Sequence, residues 1–198
     1  MKVDDVDDDG TSEIITGGFA YDGEKIAAQL RIWNWNGQTL TLEKSQEWTT
    51  QDILGVKAIS INDVDGDGRK EIVTSGSSGI LGGWAAGTTP ELAQLRVWSW
   101  DGTSLTLKQG QEWYIDEGAS AMHVATGDLD KDGVIEIVTV GCTYLGVLCD
   151  PDMRIWSVQN EAVQNETASP PYVLLGAVGI VAVIAVAVAF LLVRKKRQ

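Results

Sequence analysis

The amino-acid sequence predicts an all-β protein, a partial β-propeller of about three four-stranded blades, followed by one C-terminal transmembrane helix. Three observations carry this prediction. An acidic loop motif occurs three times, the strands beside it carry apolar side chains on both faces, and a long uncharged segment lies near the C-terminus. Each is taken in turn below.

The acidic motif begins at Asp5, Asp63 and Asp128, and each copy leads into Ile, then Ile or Val, then Thr. Carboxylates are hard oxygen ligands of the kind that Ca²⁺ prefers, and the glycine at the sixth position permits a sharp turn. We therefore predict about three Ca²⁺ ions. The expected ligands are the carboxylates at positions 1, 3, 5 and 9 and the backbone carbonyl at position 7: Asp5, Asp7, Asp9, Thr11 and Glu13; Asp63, Asp65, Asp67, Arg69 and Glu71; Asp128, Asp130, Asp132, Val134 and Glu136.

The motif has three other interpretations. An EF-hand needs a glutamate at position 12 and helices on both sides, whereas position 12 is a threonine here and the flanking runs are β-branched. A dockerin module is excluded for the same reasons. Acidic turns that hold no metal stay possible, but four converging carboxylates repel one another without a cation.

The motif belongs to a longer repeat. Asp5 to Asp63 is 58 residues and Asp63 to Asp128 is 65, a period typical of repeat architectures. The segment from Gln29 to Gly37 also matches the segment from Gln94 to Gly102. We predict units of about 1–50, 51–115 and 116–158.

Four strands are predicted within a unit. In the middle unit they are 56–62, 71–75, 94–100 and 104–108, with Trp113 closing the unit. The first strand of the first unit is nearly absent, and the last unit is expected to lose its fourth strand in 157–163. The connections 17–28, 76–93 and 141–152 are expected to be variable and to carry ligand contacts.

The third strand of the middle unit is apolar on both faces. Leu95 and Val97 point one way and Trp98 and Trp100 the other, as expected of a sheet stacked between two similar sheets in a propeller. Six of the eight tryptophans recur at matching repeat positions, which favours packing between sheets over sugar stacking. Trp84 lies outside the repeat pattern and is the best candidate for a ligand contact.

These residues resemble the FG-GAP repeat of integrin α-subunit propellers and the related VCBS repeats of microbial surface proteins. The resemblance covers about residues 1–158 and implies a Ca²⁺-holding loop between the first two strands of each blade. The absence of Phe-Gly and Gly-Ala-Pro signatures favours the VCBS-like group. Because propellers have four to eight blades, we expect either that the sequence is truncated at its N-terminus or that chains self-assemble to complete the ring.

The C-terminal region has the pattern of a membrane anchor. Residues 173–193 are uncharged and apolar, and Arg194, Lys195, Lys196 and Arg197 follow them. At about 1.5 Å per residue the segment matches the thickness of a bilayer, and the basic cluster predicts a cytoplasmic C-terminus. We expect a single-pass protein with residues 159–172 as a stalk and the repeats outside the cell. A tail-anchored topology and an archaeal sorting signal, which is processed, are the alternatives.

The remaining composition excludes some classes. The net charge of −13, with no basic patch before the tail, argues against nucleic-acid binding. Cys142 and Cys149 are the only cysteines and are candidates for a disulfide in an oxidising exterior, the alternative being two buried thiols. His123, the only histidine, lacks a catalytic partner in the sequence.

The leading hypothesis is a membrane-anchored cell-surface module that binds calcium and serves adhesion or ligand binding, with an extracellular protein or a glycan as partner and no catalysis of its own. Two alternatives stay open. One is an accessory propeller fragment of a larger surface hydrolase or lyase. The other is a glycan-binding lectin.

Overall fold

Three antiparallel β-sheets make up the part of the chain described by the structure, a computed structural model that covers residues 1–21, 23–24, 26–48, 54–78, 91–114, 118–145, 148–159 and 162–165. The predicted all-β class is confirmed. Among these residues there is no helix, and hence none that has the length and apolar character needed to span a membrane. The predicted transmembrane helix, stalk and basic tail lie almost wholly outside the described residues.

Each sheet has four strands, and hydrogen-bonded neighbours follow the order of the chain. The first sheet consists of β1 (Lys2–Asp4), β2 (Glu13–Tyr21), β3 (Ile26–Trp35) and β4 (Leu40–Trp48). The second consists of β5 (Leu54–Asn62), β6 (Glu71–Ser78), β7 (Leu92–Trp100) and β8 (Leu105–Trp113). The third consists of β9 (Ala119–Gly127), β10 (Glu136–Leu145), β11 (Leu148–Gln159) and β12 (Ala162–Asn165).

The third sheet corrects one sequence-based expectation. A fourth strand is present, because β12 pairs with the end of β11 from Gln159–Ala162 to Trp156–Asn165. The ladder between two strands is made by backbone N–H and C=O groups. A short strand can therefore form without the apolar alternation by which it is recognised in a sequence. The first strand of the first unit, which was expected to be nearly absent, is β1 and has only three residues.

The connections between second and third strands are shorter than expected. β2 and β3 stay paired as far as Tyr21 and Ile26, and β10 and β11 as far as Leu145 and Leu148. Most of 17–28 and 141–152 is therefore ladder, because backbone pairing overrides the weak strand preference of their glycines. Of the connection 76–93 the structure describes only the two ends. Trp84 lies outside the described residues.

The sheets stack face to face, with the second sheet in the middle. One apolar cluster joins the first and second sheets and includes Trp98 and Trp100. Another joins the second and third sheets and includes Leu95 and Val97. The prediction that β7 buries both of its faces is thus confirmed. No closure of the stack into a ring is seen within the described residues.

Tryptophan pairs mark both interfaces between sheets. Trp48 of β4 packs on Trp98 of β7 with ring centroids 5.0 Å apart, and Trp113 of β8 packs on Trp156 of β11 at 4.9 Å. Arg96 lies 5.5 Å from the ring of Trp48, and Arg154 lies 5.0 Å from that of Trp113. Such aromatic pairs with a cation above the ring stabilise packing. The expected packing role of the recurring tryptophans is met at these positions.

Trp35 departs from that expectation and is 50% exposed, whereas the equivalent Trp100 is 3% exposed. The reason is positional. Trp100 faces the first sheet, while no sheet in the described part of the chain precedes the first one to cover Trp35.

A glycine lies two residues after the threonine at motif position 12 in each unit, at Gly18, Gly76 and Gly141. Substitution of these glycines tests the packing. A Cβ at Gly76 would overlap the carbonyl oxygen of Gly55, and a Cβ at Gly141 would overlap that of Ser120. At Gly18, the equivalent position beside the short β1, a Cβ meets nothing within 4 Å. We expect Gly76→Ala and Gly141→Ala each to lower the free energy of unfolding by about 1–3 kcal/mol or more.

Gly18→Ala is the matched control and is expected to be neutral or to stabilise by about 0.5–1 kcal/mol, because alanine loses less backbone freedom on folding. Denaturant unfolding of the full chain in a mild detergent measures all three variants. Equal effects at the three positions would contradict the proposed close approach of neighbouring strands.

Candidate metal sites

Three clusters of carboxylates lie in the loops between the first and second strands of the sheets. In each cluster three ligand atoms lie within 4.8 Å of one another, and the members are the acidic residues at motif positions 1, 3 and 9: Asp5, Asp7 and Glu13; Asp63, Asp65 and Glu71; Asp128, Asp130 and Glu136. The structure thus brings together nine of the twelve carboxylates predicted as ligands. A divalent cation is the natural partner for such a group of oxygens.

The glutamate at position 9 organises each loop. It opens the second strand, is buried, and accepts a hydrogen bond from the backbone N–H at position 2. The donor–acceptor distances are 2.9 Å for Val6 to Glu13, 3.1 Å for Val64 to Glu71 and 2.7 Å for Leu129 to Glu136. A buried carboxylate needs such partners to offset the loss of water. One oxygen of each glutamate is used in this way.

The aspartate at position 1 closes the loop from the other side. It accepts from the backbone N–H of the motif glycine, at 3.0 Å for Gly10, 2.9 Å for Gly68 and 3.1 Å for Gly133. These glycines have φ values of 91°, 89° and 92°, in the left-handed region where other residues are strained. The predicted need for glycine at position 6 is therefore explained by backbone geometry.

Position 4 is a feature that the sequence analysis missed. Asp8, Gly66 and Lys131 all have positive φ, at 60°, 74° and 67°. Of the three, only Gly66 indicates a positive φ from the sequence. Aspartate and lysine do not adopt positive φ often enough for it to be predicted from the residue type alone. The repeated loop geometry holds all three residues there.

The carboxylates at position 5 bind backbone N–H groups. Asp9, Asp67 and Asp132 are not members of the close groups; each accepts instead from the backbone N–H at position 7, at 2.7–2.8 Å. The position 7 residues Thr11, Arg69 and Val134 thus take part through their N–H groups. Ligation by their carbonyls and by the position 5 side chains stays a prediction.

The first cluster holds an unsatisfied acceptor. Asp5 Oδ1 is buried and has no hydrogen-bond partner among the described residues. Burial raises the pKa of Glu13 above its usual value, and the charges of Asp7 and Asp9 raise it further. The hydrogen bond from the N–H of Val6 lowers the pKa and only partly offsets these effects. Burial likewise raises the pKa of Asp7. No lysine or arginine in the described residues forms a salt bridge with these three cluster carboxylates.

The fourth strands contribute residues that the motif did not predict. Lys108 is the residue of β8 that has no partner on β7 where the register of that pair shifts. Glu43 is the residue of β4 that has no partner on β3 at the equivalent shift. Lys108 Nζ donates to Asp65 and lies 3.3 Å from oxygens of both Asp67 and Glu71. Burial lowers the pKa of Lys108, but the contact with Asp65 and the charges of Glu71 and Asp65 outweigh it, so the pKa is raised.

Glu43 brings charge of the opposite sign to the first cluster. Burial raises the pKa of Glu43 above its usual value, and the charges of Asp7 and Asp9 raise it further. The first cluster therefore has a carboxylate beside it where the middle cluster has an ammonium. An alignment of 29–48 with 94–113 shows this Glu–Lys exchange, but nothing in the sequence predicts the register shift at these positions.

The third cluster is the most open. Asp128 and Asp130 are exposed, while Glu136 is buried. No lysine or arginine in the described part of the chain forms a salt bridge with them. The first and third clusters therefore fit a hard divalent cation, since among the described residues each groups oxygen donors that form no salt bridge.

The two cysteines and the histidine were also considered as site residues. Cys142 lies in β10 and Cys149 in β11, which are paired, and no free cysteine occurs among the described residues. The side chain of Cys149 lies outside them, so the disulfide stays a prediction. His123 is exposed on β9.

The chain matches no protein-family model, and no curated protein sequence matches it. The function proposed below therefore depends on the residues and their geometry.

The raised pKa of Glu13 predicts a pH dependence for the metal-free protein. A carboxyl whose pKa is higher folded than unfolded stabilises the fold fully below its usual pKa of 4.5, and this contribution is lost as pH rises through the folded value. In excess chelator, we therefore expect the melting temperature of Glu13→Gln minus that of the wild type to increase as the pH rises from about 4.5 to about 7.5.

Glu47→Gln, which changes an exposed carboxylate on β4 outside the clusters, is the control for loss of one charge. Thermal unfolding at a series of pH values gives both differences. A difference for Glu13→Gln that does not change with pH would contradict the placement of this carboxylate in a buried acidic cluster.

Proposed function

We propose that this chain is a calcium-binding repeat module of the cell surface, anchored by its C-terminal segment and used for adhesion or ligand binding. The observation that carries the proposal is the repeated carboxylate cluster with its matching backbone hydrogen bonds. Conservation of one loop geometry in three sheets is expected if the loops share a cation-binding role. The resemblance to FG-GAP and VCBS repeats points to the same function.

Calcium is the cation that the donor set favours. Among the described residues the clusters group carboxylate oxygens, with no histidine or cysteine, which disfavours zinc and copper. Mg²⁺ binds few carboxylates and keeps its water shell, whereas Ca²⁺ accepts several oxygens in irregular geometry. Millimolar calcium outside the cell is sufficient for loops of this kind.

The proposed role of the ion is structural. Without it, buried carboxylates such as Glu13 face other negative charges at short range, which disfavours the folded loop. A bound cation neutralises this repulsion and joins the start of β2 to the loop before it. Its binding free energy then adds to the stability of the hairpin.

The finer architecture that we propose is a β-propeller in which these sheets are blades. The support comes from the outer face of the first sheet. Trp33 donates to Thr16 at 2.9 Å, as Trp98 does to Thr74 at 3.1 Å, and Arg31 lies 5.7 Å from the Trp33 ring. Trp33 is only half-buried. Another sheet, from the same chain or from a second copy that self-assembles with it, would cover Trp33 as the first sheet covers Trp98.

Ligand binding is proposed at the tip of the β2–β3 hairpin, within the predicted region 17–28. Phe19 and Tyr21 are 66% and 64% exposed there, which is unusual for large aromatic side chains. A protein or glycan surface is the partner that suits exposed aromatics. The lectin alternative shares this feature, and the enzyme-fragment alternative depends on residues beyond this sequence.

The calcium proposal predicts a rise in melting temperature of several degrees in about 1–5 mM Ca²⁺, the extracellular range of affinity. We expect Asp7→Asn and Asp130→Asn each to reduce this rise, and the double variant to reduce it most. Thermal unfolding in calcium and in chelator measures the effect.

Asp101→Asn is the matched control. Asp101 caps the β7–β8 turn through the N–H groups of Thr103 and Ser104, and Asn36 makes the same contacts in the β3–β4 turn. This variant should therefore keep the full calcium response. A wild-type protein whose melting temperature does not respond to calcium would argue against the proposal.

The membrane proposal predicts that the full chain sediments with membranes and is extracted by detergent but not by high salt or carbonate. Deletion of 173–198 should move it to the soluble fraction, because an apolar segment of about 20 residues is what holds a protein in a bilayer. Protease added to intact cells should remove the repeats. Protection of the repeats would instead favour the tail-anchored topology.

A further inference from the structure

The middle acidic cluster differs from the other two because a lysine ammonium reaches into it. Lys108 Nζ donates to Asp65, and Glu71 Oε1 and an oxygen of Asp67 each lie 3.3 Å from it. Glu71 is fully buried, and its other oxygen accepts from the N–H of Val64 at 3.1 Å. The buried carboxylate therefore has one backbone donor and one charged partner.

This arrangement satisfies the middle cluster without a metal. The ammonium of lysine is a compact charge with three donors. It contacts two carboxylates of the close group and the position 5 carboxylate as well. A divalent ion entering here must displace it and leave a cation without its partners.

We propose that Lys108 is the resident cation of the middle cluster and that divalent ions bind only at the first and third clusters. The inference rests on the proposed function, since it concerns which clusters take calcium. It replaces the sequence-based expectation of three ions by about two. The residue that decides the difference lies on the fourth strand, outside the acidic motif.

The first sheet supplies the internal comparison. Glu43, a carboxylate, lies at the equivalent register shift of β4. No lysine or arginine among the described residues forms a salt bridge with the close group of Asp5, Asp7 and Glu13. Lys70 binds Asp4 and the backbone carbonyl of Asp5 instead. The sign of the charge on the fourth strand thus separates the first cluster from the middle one.

Isothermal titration of the full chain with Ca²⁺, in a mild detergent, tests the inference by counting ions. We expect about two ions for the wild type and about three for Lys108→Met, which removes the ammonium. Lys44→Met is the control, because Lys44 is the neighbour of Glu43 on β4 and forms no salt bridge with the residues that the structure describes. The reciprocal Glu43→Lys is expected to lower the count to about one.

Thermal unfolding supplies a second readout that does not depend on counting. In chelator, Lys108→Met should melt below Lys44→Met, because its carboxylates lose their cation. Added calcium should then raise its melting temperature by more than it raises that of the wild type. If Lys108→Met folds only when calcium is present, that result supports the inference too.

The outcomes separate the two proposals. A wild-type count of about three, or an unchanged count in Lys108→Met, overturns the assignment of Lys108 and leaves calcium binding intact. A lack of calcium binding by the wild type and by Lys108→Met alike overturns the proposed function and the ion count together.

Discussion

The hydrogen bond from a loop N–H to the buried glutamate that opens each second strand is the interaction on which the rest of the structure depends. It fixes where the hairpin ends and where the strand begins, at Glu13, Glu71 and Glu136. The same bond draws a carboxylate into a place where water cannot reach it. The neighbouring aspartates add charge of the same sign, so each loop needs a positive partner to be stable.

The chain meets this need in more than one way. In the middle sheet the Lys108 ammonium supplies the positive charge, and in the outer sheets we propose that a bound ion supplies it. A covalently attached ammonium is always present, whereas the occupancy of an ion depends on its concentration. Under this proposal the loop of the middle sheet, which is buried on both faces, is the one that stays stable without ions, and the sheets on either side pack against it.

Much of the fold and of the acidic loops could be predicted from the sequence because the same loop motif occurs three times. The motif spacing predicted carboxylate ligands at positions 1, 3, 5 and 9, of which the structure groups those at positions 1, 3 and 9. The alternation along β7 predicted a sheet with two buried faces. The positive φ of Asp8 and Lys131 could not be foreseen, because the loop imposes it on residues that do not prefer it. Neither could the contact of Lys108 with the β5–β6 loop, which depends on a register shift between the paired strands β7 and β8. β12 was missed because backbone pairing leaves no mark in side-chain composition.

The tryptophan pairs have a consequence for how such a protein can change in length. The contact of Trp48 with Trp98 uses the same two strand positions as the contact of Trp113 with Trp156. The same aromatic contact therefore occurs at both interfaces. Removing the middle unit by recombination would place Trp48 opposite Trp156, and duplicating it would add one more identical junction. A gene that encodes this arrangement can gain or lose whole sheets in a single step without first evolving a new interface.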